Sequence, residues 1–212
     1  MTAIRSRYLD GWARDALAER PAATVLHLGC GLDSRVYRIT PPLTGRWYDV
    51  DYPEVIALRR RLYPDRPGYD MIASSVTAPD WSSQVPADRF AVIIAEGLTM
   101  YLTKDETRRL FERLTHHLPH GVVMFDAWNS FGMRAGARQG VIKASGAELG
   151  GWGIDDPGDL ETLVPGLEFV AEQTFFDIPE LDRYGWPLRL ACRAMNRFPA
   201  LRNMGRLLRY RF

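Results

Sequence analysis

Residues 23–51, ATVLHLGCGLDSRVYRITPPLTGRWYDVD, constrain the fold more than any other stretch of this chain. They read as an apolar strand running into Gly29-Cys30-Gly31, a short helix, and a second strand that ends on Asp51. In an open α/β sheet, ligands bind beyond the carboxyl ends of the strands. Glycines there admit a close approach to backbone, and an acid about 20 residues on can accept ribose hydroxyls. Gly29 and Asp51 meet that spacing. The loop has no third glycine and carries Asp33 instead, an anion that repels a diphosphate but suits a cationic sulfonium or ammonium ligand. It therefore argues for S-adenosylmethionine over a dinucleotide.

Further along, strands are expected at 69–76, 90–95 and 122–126, the last two as near-continuous apolar runs. Helical patterns alternate with them. Leu9, Trp12, Ala13, Ala16 and Leu17 share one face of a helix over 6–20 that Pro21 ends. PEVIALRRRLY (53–63) opens on a proline suited to a first helical position. Thr103 followed by Glu106 forms a capping box ahead of the stripe Leu110, Phe111, Leu114 and Leu118, predicting a helix over 103–118. Strands and helices alternating at this pitch predict a doubly wound, mostly parallel α/β sheet covered on both faces. The chain is expected to be a single domain over 1–212. Residues 130–160, glycine-rich and weakly periodic, read as an insertion or cap, and the pattern closes with a strand at 166–176, a helix at 187–197 and a strand at 206–212.

Composition narrows the class further. With 46% hydrophobic and 25% charged residues, and a formal net charge of +1, the 212-residue chain has no electrostatic case for nucleic acid as its partner. No apolar run approaches the roughly 18 residues of a membrane span, so no membrane association and a cytoplasmic location are expected. Cys30 and Cys192 lie far apart without a CxxC, and no metal site is expected.

Each candidate site residue has a plainer reading beside it. Gly29 and Gly31 can bring backbone amides to the amino acid end of a cofactor, or simply make a tight strand-to-helix turn. Asp51 can accept both ribose hydroxyls, or cap the helix beginning at Pro53. Glu96 follows the most buried-looking strand, FAVIIA, and must face the crevice or be desolvated. Tyr101 falls on the loop over the crevice, although a core tyrosine is the commoner outcome. Ser75 and Val76 stand where adenine could lie. Asp126 and Asn129 also reach the crevice, as polar residues at many strand ends do. His27, between two leucines, reads as an internal histidine with satisfied nitrogens.

Four blocks, LGCGLDSRVYRI (28–39), WYDVDYPEVIALRRRL (47–62), MIASSV (71–76) and IIAEGLTMYL (93–102), resemble the leucine carboxyl methyltransferase family. Within it they look like the bacterial branch of polyketide and other small-molecule O-methyltransferases, the tetracenomycin-synthesis type. The resemblance implies a class I S-adenosylmethionine-dependent methyltransferase fold and methyl transfer to a carboxylate or hydroxyl of a small molecule in secondary metabolism. By motif position it implies Gly29 at the methionine part of the cofactor, Asp51 at the ribose, Ser75 and Val76 at the adenine, and Glu96 near the methionyl end. It further implies Arg5, with Arg7 as the other candidate, at the cofactor carboxylate, and Tyr101 at the acceptor. Family members carry a further helical segment before that arginine, whereas here Met1 stands almost at it. The expectation is a short natural form, a start lying upstream, or a non-catalytic, weakly binding remnant. The acceptor end would then be open, or completed by residues 130–160 or by a second copy in a homodimer.

Overall fold

The computed structural model describes residues 2–39, 44–137, 148–174 and 185–212. A helix, α1 (Thr2–Glu19), leads into β1 (Thr24–Leu28), and α2 (Arg35–Ile39) joins it to β2 (Arg46–Asp51). Then follow α3 (Pro53–Leu62), β3 (Tyr69–Ala73), β4 (Ala91–Ala95), α4 (Lys104–His117) and β5 (Gly121–Trp128). The chain continues through α5 (Ser130–Gly136), α6 (Gly158–Leu163), β6 (Glu168–Thr174), α7 (Trp186–Asn196), α8 (Pro199–Arg202) and β7 (Gly205–Arg211). Among the described residues, seven strands form one sheet in the order β3-β2-β1-β4-β5-β7-β6. The first five are parallel, while β7 runs antiparallel between β5 and β6.

The period-2 alternation of strand side chains divides the core into two layers. Leu26, Leu28, Ile93 and Phe125 point to one face, where Leu110, Phe111 and Leu114 of α4 cover them. Val25, Trp47, Val92 and Ile94 point to the other, under Leu9, Ala13 and Leu17 of α1. Each of the large apolar side chains buried this way contributes about 1.5–3 kcal/mol, which makes α1 and α4 the two clamps on the sheet. The Thr103–Glu106 capping box forms as expected: the Thr103 hydroxyl accepts from the Glu106 N–H while the Glu106 carboxylate accepts from the Thr103 N–H.

Three differences from the sequence expectations bear on the site. α1 begins earlier than the pattern at 6–20 suggested, so Arg5 stands on a helix. β3 stops at Ala73, and Ser74–Val76 leave the sheet to line a cavity. Within 130–160, residues 130–136 are helical, 138–147 lie outside the described residues, and Gly150 donates its N–H to the Met100 carbonyl at 2.9 Å. Gly150 has no room for a side chain, since a Cβ would stand 2.0 Å from the Leu102 carbonyl oxygen. That close approach holds residues 148–154 against the loop after β4.

Candidate functional site

The carboxyl ends of β1, β2, β3, β4 and β5 converge on one edge of the sheet, and two cavities open there. One, of about 460 Å³, is lined by Gly29, Asp51, Ser75, Val76, Leu98 and Tyr101 among others. The second, of about 560 Å³, includes Arg5, Gly31, Glu96, Tyr101 and Trp128 in its wall. Gly29 and Tyr101 line both, so the two form one crevice in the size range of small-molecule sites. Eight of the residues singled out in the sequence, Arg5, Gly29, Gly31, Asp51, Ser75, Val76, Glu96 and Tyr101, lie on it, whereas Arg7, the other arginine candidate, lines a separate cavity with Asp10 and Asp33.

The glycine loop owes its shape to left-handed backbone. Gly29 has φ +60° and Gly31 φ +51°, values that residues with a Cβ adopt at a cost. A Cβ on Gly29 would also stand 3.2 Å from Leu98 Cδ1. Asp51 accepts the Gly31 N–H at 2.7 Å on Oδ2 and the Tyr52 N–H at 2.7 Å on Oδ1. Each carboxylate oxygen keeps a further lone pair for a ligand hydroxyl. The capping alternative for Asp51 is not what forms, because Tyr52 is the N-cap of α3 and no side chain caps it.

Beneath the loop runs a network of buried charge that the sequence did not disclose. Arg35, fully buried, donates to Asp10 at 2.7 Å, to Glu96, and to His27 Nε2 at 3.0 Å. Because an arginine only donates, His27 Nε2 must accept, leaving the proton on Nδ1 to face Asp49 Oδ1 at 3.2 Å. This assigns His27 the internal role its flanking leucines suggested. Asp49 also takes Arg59, whose Nη1 donates to the Gly31 and Asp33 carbonyls at 2.8 and 2.9 Å and so pins the loop from below. Burial would raise the Asp49 carboxyl, but His27 and Arg59 outweigh it and hold it low. Burial and the nearby Asp49 charge push the Cys30 thiol well above its ordinary range, so Cys30 is no nucleophile.

At the other end of the crevice, Glu96 is 8% exposed and its two oxygens are spoken for. Oε1 accepts from Arg5 Nε and Ser6 Oγ, both at 2.8 Å, and Oε2 from Arg35. Burial alone would raise its carboxyl, but Arg35, Ser6 and Arg5 together draw it below the ordinary glutamate range. Glu96 thus reaches the crevice chiefly as the anchor of Arg5. Arg5 Nη1 donates in turn to Asp126 at 2.8 Å. Tyr101, 43% exposed on the short turn Thr99–Tyr101, makes no hydroxyl hydrogen bond among the described residues. Sequence reasoning left Asp126 aside and missed Arg35 and Arg59; a buried arginine is recognisable only once its acids are seen in space.

The donor set fits an adenosine carrying a charged amino acid tail. A carboxylate with spare lone pairs sits beside side-chain-free backbone at one end, and a guanidinium whose Nη2 has no partner among the described residues sits at the other.

Comparison with known proteins agrees with this geometry. The leucine carboxyl methyltransferase family matches residues 1–115. Over 209 residues the chain is 46% identical to the tetracenomycin polyketide synthesis O-methyltransferase TcmP of Streptomyces glaucescens, covering 99% of this chain and 77% of that one. It is 36% identical to the S-adenosyl-L-methionine-dependent methyltransferase dpfgK of Gibberella zeae, covering 88% of this chain and 67% of that protein. In fold it is similar to the crystal structure of an S-adenosylmethionine-dependent methyltransferase from Mesorhizobium loti, with a TM-score of 0.64 at 16% identity over 96% of this chain and 98% of that one. Identity at this level across nearly the whole chain means that it belongs to the leucine carboxyl methyltransferase family and is an S-adenosylmethionine-dependent methyltransferase.

Proposed function

We propose that this enzyme moves the methyl group to an oxygen, carboxylate or hydroxyl, of a small molecule, in the cytoplasm and as part of secondary metabolism. The observation that carries the reading is the continuity of the crevice, with Tyr101 lining both of its halves. The relative TcmP, an O-methyltransferase of polyketide synthesis by name, supports the choice of oxygen and of pathway type. Among the described residues no helix is long and apolar enough to cross a membrane.

When bound, S-adenosylmethionine supplies a methyl group made electrophilic by the positive sulfur that carries it. In this reading Asp51 accepts the ribose hydroxyls, Ser75 and Val76 flank the adenine, and the Gly29–Gly31 backbone lies along the amino acid part. Arg5 donates an Nη2 N–H to the cofactor carboxylate. Tyr101 donates its hydroxyl to the acceptor and orients it. Aligning two bound reactants for in-line displacement is worth up to about 7–11 kcal/mol in favourable cases, so positioning can supply most of the acceleration. A carboxylate acceptor needs no general base, which suits a crevice whose histidine among the described residues, His27, is committed to Asp49 and Arg35; a hydroxyl acceptor would react after giving its proton to water.

Turnover of radiolabelled methyl onto a panel of carboxylic acids, phenols, amines and thiols tests the reading. Label appearing on oxygen acceptors, with kcat reduced at least tenfold in Tyr101→Phe and cofactor affinity unchanged, supports it. Transfer to amines or thiols alone would overturn it.

A further inference from the structure

Asp126 has no role in the reading above, yet it is the acid at which the two sides of the methionyl end meet. It stands near the end of β5, 1% exposed, and each oxygen takes a different donor. Oδ1 accepts the Gly97 N–H at 2.6 Å, and Oδ2 accepts Arg5 Nη1 at 2.8 Å. Gly97, with φ +71°, begins the turn that carries Leu98 and Tyr101 over the crevice. Arg5 is therefore held at Nε by Glu96 and at Nη1 by Asp126, along two edges of a planar group. Two such anchors fix the plane and leave Nη2. A Cβ on Gly97 would stand 3.5 Å from Nη2, so that nitrogen faces the open side of the glycine.

We propose that Asp126 is a positioning residue for cofactor binding, locking the Arg5 guanidinium to the Gly97 turn so that Nη2 is preformed as a donor to the cofactor carboxylate. The proposal rests on the reading of Arg5 given above. Burial, the largest influence on Asp126, pushes its carboxyl upward, against the pull of Arg5 and the Gly97 N–H. Both oxygens face donors, and each accepts one of them. The same count makes Asp126→Asn informative: asparagine has one acceptor oxygen for two donors, so its NH₂ must face either Arg5 or Gly97.

The test compares two ligands by calorimetry on the full chain. S-Adenosylhomocysteine carries the amino acid group, and 5′-methylthioadenosine keeps the adenosine and sulfur without it. Asp126→Asn should weaken the first roughly tenfold or more, as loss of a charge-assisted hydrogen bond does. It should change the second less than about twofold, a factor worth only about 0.4 kcal/mol. Retained binding of the second ligand also shows that the variant is folded. If it is not, Asp126→Glu, one methylene longer with charge kept, should show the same selectivity. Arg5→Gln should likewise weaken only S-adenosylhomocysteine, and in its background Asp126→Asn should add nothing further. Equal loss for both ligands, or no loss, in the Asp126 variants overturns the proposal. If Arg5→Gln is selective while the Asp126 variants are not, the Arg5 reading stands and only the proposal falls. If Arg5→Gln is not selective, both fall.

Discussion

Replacing Glu96 by glutamine keeps the shape of the side chain and removes one of its two acceptor oxygens. In the protein Oε1 takes two donors, Arg5 Nε and Ser6 Oγ, while Oε2 takes Arg35. The glutamine should therefore keep its carbonyl toward Arg5 and Ser6 and turn its NH₂ onto Arg35, where donor meets donor. Arg35 is fully buried, so the loss is that of a buried charge-assisted hydrogen bond, about 1.5–3 kcal/mol, with a ceiling of about 3–5 kcal/mol for breaking a buried ion pair. Asp10 still holds Arg35 at 2.7 Å, which places the expectation near 2 kcal/mol, toward the lower end of that range. Equilibrium unfolding in urea reads it, and pH adds a second dimension. The Glu96 carboxyl is held below its ordinary value of 4.5, so the stability it adds is fully present above that pH and lost as pH falls through its folded pKa. The glutamine has nothing to titrate, and the gap between wild type and variant should close as pH falls below 4.5. A variant within about 0.5 kcal/mol of wild type at neutral pH, or a gap unchanged in acid, would refute the network as described.

Gly29→Ala must place a Cβ in left-handed backbone 3.2 Å from Leu98, so we expect about 1–2 kcal/mol of lost stability together with weaker S-adenosylhomocysteine binding. Unchanged calorimetry would remove Gly29 from the cofactor wall. Thr103→Ala dismantles the capping box of α4 and should lower stability by about 1 kcal/mol, a fall in Tm of about 2–4 °C, without altering cofactor affinity. A change in affinity would mean that the start of α4 reports on the site.

The parts of the molecule that read clearly from sequence are those governed by local rules. AVIIA and the helix stripe of Leu110, Phe111 and Leu114 announce a buried strand and its cover through periodicity alone, and Thr103 with Glu106 announces where that helix starts. The parallel direction of β1 to β2, β2 to β3 and β4 to β5 follows from the helices α2, α3 and α4 between them, whereas β3 passes to β4 with only the short turn Trp81–Gln84. The insertion of β7 between β5 and β6 does not follow in this way, because antiparallel pairing of two distant segments leaves no mark in either. The glycines and Asp51 are legible in the site because spacing on one strand-turn-helix unit fixes them. Arg35 and Arg59 look in sequence like two more surface arginines among many, and their burial depends on Asp10, Glu96 and Asp49 arriving from other elements. Asp126 is illegible for the same reason, since its partners lie on α1 and after β4.

Calorimetric titration with S-adenosylhomocysteine most directly tests the crevice beyond β1 to β5 as the cofactor site and the proposed place of Asp51 at the ribose. The wild-type chain should bind one equivalent. Asp51→Ala, folded by circular dichroism, should lose about 2–4 kcal/mol of that binding as two charge-assisted hydrogen bonds disappear. Equal affinity in the folded variant would mean that the ribose is held elsewhere and that Asp51 is not its partner.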